Sequence, residues 1–249
     1  MKVLFFGNNS LAVRVLENLH AAGDEIVGLV LHPEARRGSG PELIAAARVP
    51  RERVFDGSRL EEPAVRDAVA GLGADIGVSI LFGHILRPAI LGGLPQGCVN
   101  LHPGYLPYNR GAYPNVWSIV EGTPAGATLH YVDAGVDTGD IVAQKVVAVD
   151  PADTGQTLYL RLLEACLEVF AGAWPLLREG RAPRTPQSGP GTFHRVRDVE
   201  EIDEIDLDRA VRAGDLLDII RARTFPPHAG AYVRHRGEKI YLRLSLDRS

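Results

Sequence analysis

Along its first hundred residues the chain alternates short, almost wholly apolar runs with segments that carry helix signals. An apolar run without polar alternation is typical of a strand that is covered on both faces of a sheet. The predicted strands are 3–6, 26–31, a short one near 54–55, 75–81 and 97–101. The predicted helices between them are 11–22, 41–47 and 61–71. Strands that alternate with helices indicate an α/β fold with a mostly parallel central sheet.

The second half of the chain follows a different pattern. Its predicted elements are strands 125–132 and 141–149, helix 154–179, helix 207–222, and strands 230–234 and 239–246. The first two strands flank a turn at 133–140 and form an antiparallel pair. The proline- and glycine-rich stretch 181–192 is interpreted as a linker. It separates a first domain, 1–180, from a small α+β module, 193–249, that ends in a β-hairpin.

Composition excludes several classes of protein. The chain has 27 Lys and Arg against 31 Asp and Glu, and its charges form no basic stripe of the kind that binds nucleic acid. No apolar run reaches the roughly 18 residues of a membrane span, and the opening segment is too short for a signal peptide. Cys98 and Cys166 lie in different predicted elements. We therefore expect free thiols, a cytoplasmic location, no nucleic-acid partner and no membrane.

Three polar side chains are predicted to meet at one end of the sheet. Asn100 and His102 alternate with Leu101 at the end of a strand and project on the same face. Open α/β sheets hold ligands at the carboxyl ends of their strands, and the turn 133–140 can bring Asp137 there. Acyl transfer to an amine needs an oxyanion donor, a proton acceptor and a group that orients it. The alternative is a polar strand end that caps neighbouring backbone.

A metal site or a nucleophilic thiol is the competing interpretation of this region. The possible ligands are Cys98, Asn100, His102, His130 and Asp137. The chain has no His-x-x-x-His or Cys-x-x-Cys pair, which are the usual ligand spacings. We therefore predict no metal and no catalytic role for Cys98.

Three further segments are candidates for ligand contact. The turn with Asn8 and Asn9 resembles a phosphate turn but lacks Gly-x-Gly-x-x-Gly, and Asn9 or Ser10 caps the next helix. The loop 82–86 offers backbone groups beside an apolar wall, which suits a flat heterocycle, although a buried turn is the alternative. Segment 105–117 could bind phosphate, sugar or base, or be a loop packed by its own aromatic rings. Its candidate residues are Tyr105, Tyr108, Arg110, Tyr113 and Trp117.

Five motifs follow one another in a fixed order. They are Ser-Ile-Leu-Phe-Gly-His-Ile-Leu (79–86), Asn-Leu-His-Pro-Gly-Tyr-Leu-Pro (100–107), Arg-Gly-Ala-Tyr-Pro-Asn-Val-Trp (110–117), Gly-Ala-Thr-Leu-His-Tyr-Val-Asp (126–133) and Gly-Val-Asp-Thr-Gly-Asp-Ile (135–141). In this order and spacing they resemble the formyltransferases that use N10-formyltetrahydrofolate. The resemblance covers most of residues 1–180 and implies a Rossmann-like formyltransferase domain that needs no metal.

The resemblance implies a role for each matching residue. The catalytic Asn, His and Asp of the family fall on Asn100, His102 and Asp137, and His130 matches a histidine that lies behind them. A neutral amine would attack the formyl carbon, Asn100 and a protonated His102 would stabilise the oxyanion, and Asp137 would orient His102. The implied contacts with N10-formyltetrahydrofolate are Leu81, Phe82, Gly83, His84, Ile85, Leu86, Val132, Asp133 and Gly135.

The C-terminal residues narrow the expected substrate. Segments 220–227, 229–232 and 237–241 are similar to the ending of sugar N-formyltransferases, which act on nucleotide-linked aminosugars, commonly a dTDP-linked 4-amino-4,6-dideoxy sugar. Asn8, Asn9 and the candidates in 105–117 are the expected substrate contacts. Methionyl-tRNA formyltransferases have a similar core, but the acidic segment 198–208 would repel tRNA.

The C-terminal module is expected to pair with a second copy, because a two-fold homodimer would cover its exposed edge strands. Three alternatives stay open: a formyltransferase for tRNA or another amine, a hydrolase of the formyl donor, and a non-catalytic folate- or nucleotide-binding module. The sequence leaves the sugar, the nucleotide and any closure of the loop 33–40 over substrate undecided.

Overall fold

A seven-stranded sheet with strand order β3-β2-β1-β4-β5-β7-β8 forms the centre of the computed structural model, which describes residues 1–247. The strands of the chain are β1 (Lys2–Gly7), β2 (Glu25–Leu31), β3 (Val54–Asp56), β4 (Ile76–Ile80), β5 (Cys98–His102), β6 (Arg110–Gly111), β7 (Gly126–Tyr131), β8 (Ile141–Val146), β9 (Phe193–His194), β10 (Tyr232–His235) and β11 (Glu238–Tyr241). The pairs from β3 to β5 are all parallel, and β7 pairs with β5 antiparallel. The predicted α/β class with a mostly parallel sheet is confirmed.

The described residues 1–247 also contain eight α-helices. They are α1 (Ser10–Ala21), α2 (Gly40–Ala47), α3 (Pro63–Ala70), α4 (Pro88–Leu91), α5 (Pro114–Val120), α6 (Gly155–Arg178), α7 (Glu200–Asp203) and α8 (Ala213–Ala222). Asn9 caps α1, because its side chain accepts a hydrogen bond from the Ala12 N–H at 3.2 Å. Within residues 1–247 we find no helix with the length and apolar character needed to cross a membrane.

The order of the strands in the sheet indicates the edge at which a ligand is expected to bind. Connections run outward from β1 in both directions, to β2 and β3 on one side and to β4 and β5 on the other. In such doubly wound sheets the ligand crevice lies at the carboxyl ends of the strands, where the winding reverses. The residues that follow β4 and end β5 therefore lie where an active site is expected.

The chain forms two compact units, each made of discontinuous stretches. The first contains Met1–His102, Thr128–Gln144 and Cys166–Gln187; the second contains Pro103–Ala127, Lys145–Ala165 and the described residues from Ser188 onward. The last change between units, at 187–188, falls inside the stretch interpreted as a linker. The domain limits drawn from the sequence stay a prediction.

Each unit has its own apolar core. In the first, strand and helix side chains pack together: Leu4, Phe6, Val27, Val30, Leu60, Val69, Ala74, Phe82, Leu86, Ile90, Leu94 and Cys98. In the second, the core consists of Val116, Trp117, Ile119, Ala125, Leu158, Leu162, Val199 and Ala222. Each large apolar side chain buried in this way contributes about 1.5–3 kcal/mol relative to its exposed state.

The structure departs most clearly from the sequence interpretation at three places. The segment 105–117 is not a loop throughout, because α5 begins at Pro114, whose missing N–H costs nothing at a helix start. The helix expected from 207 begins only at Ala213, since the Asp206 carboxylate accepts the Asp208 N–H at 3.0 Å and forms a turn. The last strand ends at Tyr241 instead of 246, because its partner β10 has only four residues.

Candidate active site

Asn100 lies in a row of polar side chains that crosses three strands. The register pairs Ser79 of β4 with Asn100 of β5, and Asn100 with His130 of β7. The Ser79 hydroxyl donates to Asn100 Oδ1 at 2.9 Å, and Asn100 Nδ2 lies 3.1 Å from His130 Nε2. Both ends of the amide are thus held by neighbouring strands.

The hydrogen bonds of His130 define the direction of that amide. Its Nδ1 lies 2.9 Å from the carbonyl oxygen of Tyr131, which can only accept, so Nδ1 carries the proton. In the tautomer with that proton, Nε2 presents its lone pair to Asn100, and Asn100 Nδ2 is the donor. Ser79 supplies a donor to the opposite end, so the two contacts specify the same orientation of Asn100.

Asp137 completes the cluster from the turn between β7 and β8. Its Oδ1 lies 3.4 Å from Asn100 Nδ2 and 3.4 Å from His130 Nε2, and its Oδ2 lies 3.6 Å from His102 Nδ1. His102 is only 5% exposed. The structure therefore brings Asn100, His102, His130 and Asp137 together, and their catalytic roles stay a prediction.

Asp137 has a backbone φ of 52°, in the left-handed region that residues other than glycine rarely adopt. Asp133 braces the turn around it, because its carboxylate accepts the Gly135 N–H at 3.0 Å and the Thr138 hydroxyl at 2.7 Å. A Cβ at Gly139 would collide with the carbonyl oxygen of Tyr131, so that position requires glycine. Sparsely populated conformations such as that of Asp137 cluster at functional sites.

The loop after β4 has the character expected of a heterocycle-binding surface. Leu81 adopts φ 48°, and Phe82 is buried against Phe6 with ring centroids 5.5 Å apart. Ile85 leaves 69% of its surface exposed. Within residues 1–247, the backbone groups of 82–86 make no backbone–backbone hydrogen bond. Apart from the Gly83 N–H, which donates to His32, backbone groups that lack a backbone partner and lie beside an apolar wall fit a flat heterocycle with amide-like edges.

His32, at the end of β2, supports this loop. Its Nε2 accepts the Gly83 N–H at 3.0 Å, and its ring contacts those of Phe82 and His84. Burial, and then the charges of His84 and Arg36, lower the pKa of His32 below its ordinary value. The neutral form that can accept from Gly83 is therefore the favoured one.

The side chains of Asn8 and Asn9, two of the predicted ligand contacts, form hydrogen bonds within the protein. The Asn8 side chain accepts the Gly38 N–H at 3.1 Å and donates to the Arg36 carbonyl at 3.3 Å, and Asn9 caps α1.

Complete burial raises the pKa of the Cys98 thiol far above its usual range, which removes it as a nucleophile. Within residues 1–247, no group of three or more His, Cys, Asp or Glu side chains could hold a metal ion.

The candidates between 105 and 117 all lie in the second compact unit. Tyr113 is the N-cap of α5 with φ 56° and is 40% exposed. Trp117 is 6% exposed and stacks on His194 with centroids 4.0 Å apart, so it is a core side chain. Arg110 pairs through β6 with β9. Contact of Tyr105, Tyr108 and these residues with substrate stays a prediction.

Sequence reasoning missed Ser79, His32 and Gln187. Ser79 lies near the end of β4, before the loop 82–86, in the same way that Asn100 lies near the end of β5, before the turn that follows. A comparison of these two strand ends would have identified Ser79. Gln187 donates to the carbonyl oxygens of Asp137 and Gly139 at 2.8 and 2.9 Å from a segment 50 residues away, which no local pattern signals.

A doubly wound sheet that ends in an amide, an imidazole and a carboxylate places an oxyanion donor beside a proton-handling pair, which is what acyl transfer requires. The chain belongs to the formyl transferase family, whose model matches residues 1–173. Residues 198–248 match the N-formyltransferase dimerization C-terminal domain. The protein is thus an N-formyltransferase, and the recognition made from the sequence is confirmed.

Methionyl-tRNA formyltransferases and sugar N-formyltransferases are both among the proteins similar to this chain. Methionyl-tRNA formyltransferase of Syntrophus aciditrophicus is 30% identical over 259 residues, covering 100% of this chain and 81% of the relative. A likely sugar N-formyltransferase from Mycobacterium tuberculosis has the same fold, with a TM-score of 0.82, 24% identity and coverage of 100% and 98%. A formyltransferase from Anoxybacillus kamchatkensis, solved with UDP-4,6-dideoxy-4-formamido-L-AltNAc and tetrahydrofolate, is 29% identical, with a TM-score of 0.61 and coverage of 81% and 89%.

Proposed function

We propose that this enzyme transfers the formyl group of N10-formyltetrahydrofolate to the amino group of a nucleotide-linked aminosugar. The acceptor we propose is a dTDP-linked 4-amino-4,6-dideoxy sugar. The observation that carries the proposal is the C-terminal match: a formyl transferase domain is followed by the dimerization domain of N-formyltransferases. The Anoxybacillus kamchatkensis relative, with its 4-formamido sugar, supports position 4 as the site of the amine.

The donor supplies a formyl group that is already activated by its bond to N10. Residues Leu81–Leu86 fit it, because their backbone groups and the apolar wall formed with Phe82 suit a flat ring. Val132 is partly buried against the same cluster as Phe82. We assign the second edge of the donor site to Val132, Asp133 and Gly135.

Asn100 is the proposed oxyanion donor. Its amide is oriented in advance by Ser79 and His130, and its second Nδ2 hydrogen, which faces Asp137 Oδ1 at 3.4 Å, can turn to the formyl oxygen as negative charge develops there. Donors held in place before the reaction are the largest single source of rate enhancement in acyl transfer. The amine forms a bond to the formyl carbon, which gives the tetrahedral oxyanion, and the bond from that carbon to N10 then breaks.

His102 and Asp137 are the proposed proton-handling pair. Their closest atoms lie 3.6 Å apart, slightly longer than a hydrogen bond, and both side chains are largely buried. Such contacts commonly tighten when substrate is bound. A carboxylate beside an imidazole favours the imidazolium, so His102 can help to neutralise the oxyanion while Asp137 assists the proton that passes from the amine to N10.

A methionyl-tRNA formyltransferase is the second candidate, because the curated relatives by sequence have that activity. One acidic segment of the C-terminal module argues against it. Residues 198–208 contain no Lys or Arg, and their acidic members are Asp198, Glu200, Glu201, Asp203, Glu204, Asp206 and Asp208. A phosphate backbone is bound by basic side chains, and an acidic surface opposes it.

We further propose that the enzyme is a homodimer formed through the C-terminal module. Its matched domain is described as a dimerization domain, and the module exposes apolar side chains of Leu207, Leu217, Ile240 and Tyr241. Exposed apolar side chains in one module are suited to burial between copies. Sedimentation over a concentration series should show one species at twice the monomer mass, and a monomer at every concentration would reject the dimer.

The reaction is tested by following release of tetrahydrofolate from N10-formyltetrahydrofolate with a panel of acceptors. The panel contains dTDP-, UDP- and GDP-linked 3-amino and 4-amino sugars and initiator methionyl-tRNA. Release that depends on a 4-amino sugar, with dTDP preferred, is the expected result. Release only with the tRNA would establish the second candidate, and release without any acceptor would indicate a donor hydrolase.

A further inference from the structure

The segment Arg184–Gln187 lies against the hairpin that carries Asp137. The Thr185 and Ile141 backbones exchange hydrogen bonds at 2.8 and 3.0 Å. The guanidinium of Arg184 lies 3.5 Å from the centroid of the Tyr131 ring. Gln187 then reaches the turn itself, so this segment contacts both strands of the hairpin and the residues between them.

Gln187 contacts the turn in a way that constrains Asp137. Its Nε2 donates one hydrogen to the Asp137 carbonyl oxygen at 2.8 Å and the other to the Gly139 carbonyl oxygen at 2.9 Å. Two carbonyls two residues apart can converge on a single donor only in a tight turn. In that turn Asp137 has φ 52°, which is unfavourable for a residue with a side chain.

We propose that Gln187 is a positioning residue for Asp137, which rests on the proposed function of Asp137 in formyl transfer. The amide holds the carbonyls of residues 137 and 139 and thereby keeps the Asp137 carboxylate within reach of Asn100, His130 and His102. The stretch that follows α6 is therefore part of the catalytic apparatus and not only a connection.

The attachment of the segment does not depend on Gln187 alone. The Thr185–Ile141 bonds and the Arg184–Tyr131 contact are independent of its side chain. Loss of the amide should therefore loosen the turn while the fold persists. A displacement of about 1 Å in a reacting group can lower a rate by roughly 10²-fold.

The test compares Gln187→Met, which has a similar shape but no donor, with Gln156→Met. Gln156 is a matched control, because its amide also donates to a backbone carbonyl, that of Pro226 at 3.2 Å, and it belongs to the second compact unit. We expect kcat of Gln187→Met to fall about 10- to 100-fold, with both KM values nearly unchanged. Gln156→Met should retain the wild-type kcat.

A second variant, Gln187→Glu, adds a pH signature that general loosening would not give. An ionised carboxylate facing two carbonyl oxygens is unfavourable, so the pKa of the introduced carboxyl is raised, and only its protonated form can donate. The ratio of kcat of Gln187→Glu to wild-type kcat should therefore rise as pH is lowered from about 8 to about 6. The ratio for Gln187→Met should stay constant.

Amide hydrogen exchange of the segment 133–140 provides a readout that needs no activity. Exchange should be faster in Gln187→Met than in the wild type and unchanged in Gln156→Met. Wild-type kcat and unchanged exchange in Gln187→Met would overturn the proposal. An inactive wild type with faster exchange in Gln187→Met would reject the proposed function yet support the constraint on the turn.

Discussion

Replacing Ser79 by alanine tests whether the orientation of Asn100 matters for catalysis. Ser79 is 4% exposed, and its hydroxyl donates to Asn100 Oδ1 at 2.9 Å. In Ser79→Ala the buried amide oxygen loses that donor, and water cannot easily replace it. Leaving a buried acceptor unsatisfied costs about 1–3 kcal/mol of folding free energy.

The expected effect on the rate follows from the same hydrogen bond. Its net contribution to holding the amide is about 0.5–1.5 kcal/mol. At about 1.36 kcal/mol for each tenfold change, kcat should fall about 2- to 12-fold. The loss is limited because His130 still accepts from Nδ2 and disfavours the flipped amide.

Ser118→Ala is the matched control for this prediction. Ser118 is 2% exposed and accepts a hydrogen bond from Asn109 Nδ2 at 2.9 Å, so it forms a buried Ser–Asn pair in the second compact unit. Urea unfolding should show both variants to be less stable, while steady-state turnover should be reduced only in Ser79→Ala. Equal kcat in Ser79→Ala and the wild type would refute the argument that Ser79 orients the amide.

Two further predictions concern stability. The buried Asp24 carboxylate accepts a hydrogen bond from the Trp174 Nε1–H at 2.6 Å and pairs with Arg178 at 3.1 Å. In urea unfolding, Asp24→Ala should therefore lose about 3–5 kcal/mol of folding stability. Trp174→Phe should lose only about 1.5–3 kcal/mol of folding stability, because it removes one hydrogen bond to Asp24. Equal losses in the two variants would contradict the assignment of Asp24 as the partner shared by Trp174 and Arg178. Because the folded pKa of His32 is lowered from 6.5, its stabilising contribution is complete above that pH and is lost as pH falls through the lowered value. The unfolding midpoint of His32→Gln, whose carbonyl can accept from Gly83, should therefore depend less on pH than the wild type, and identical pH profiles would contradict this.

The central sheet could be predicted well from the sequence because each of its main strands is a distinct apolar run. A strand such as β1, with Val3 to Phe6 all buried, needs to be covered on both faces, and only an α/β arrangement does that. The pairing of Asn100 with His102 on one face followed from strand geometry alone. These inferences depend on local periodicity, which a single sequence displays directly.

The residues whose hydrogen bonds hold the site in place could not be predicted in the same way. The contact of Gly83 with His32 joins residues 51 positions apart, and Gln187 reaches the turn from 50 positions away. Such contacts depend on how strands and loops assemble, and no periodic pattern encodes them. The start of α8 was missed for a local reason, since an Asp206 turn replaced two turns of apparent helix.

The most direct test of the central claim is single-turnover formyl transfer by Asp137→Ala and His102→Ala with the accepted aminosugar and saturating N10-formyltetrahydrofolate. Loss of an electrostatic group of this kind costs roughly 10²–10³ in rate. The account predicts at least that loss in each variant, with unfolding that stays cooperative. A rate close to the wild type in either folded variant would contradict the assignment of Asn100, His102 and Asp137 as the catalytic groups.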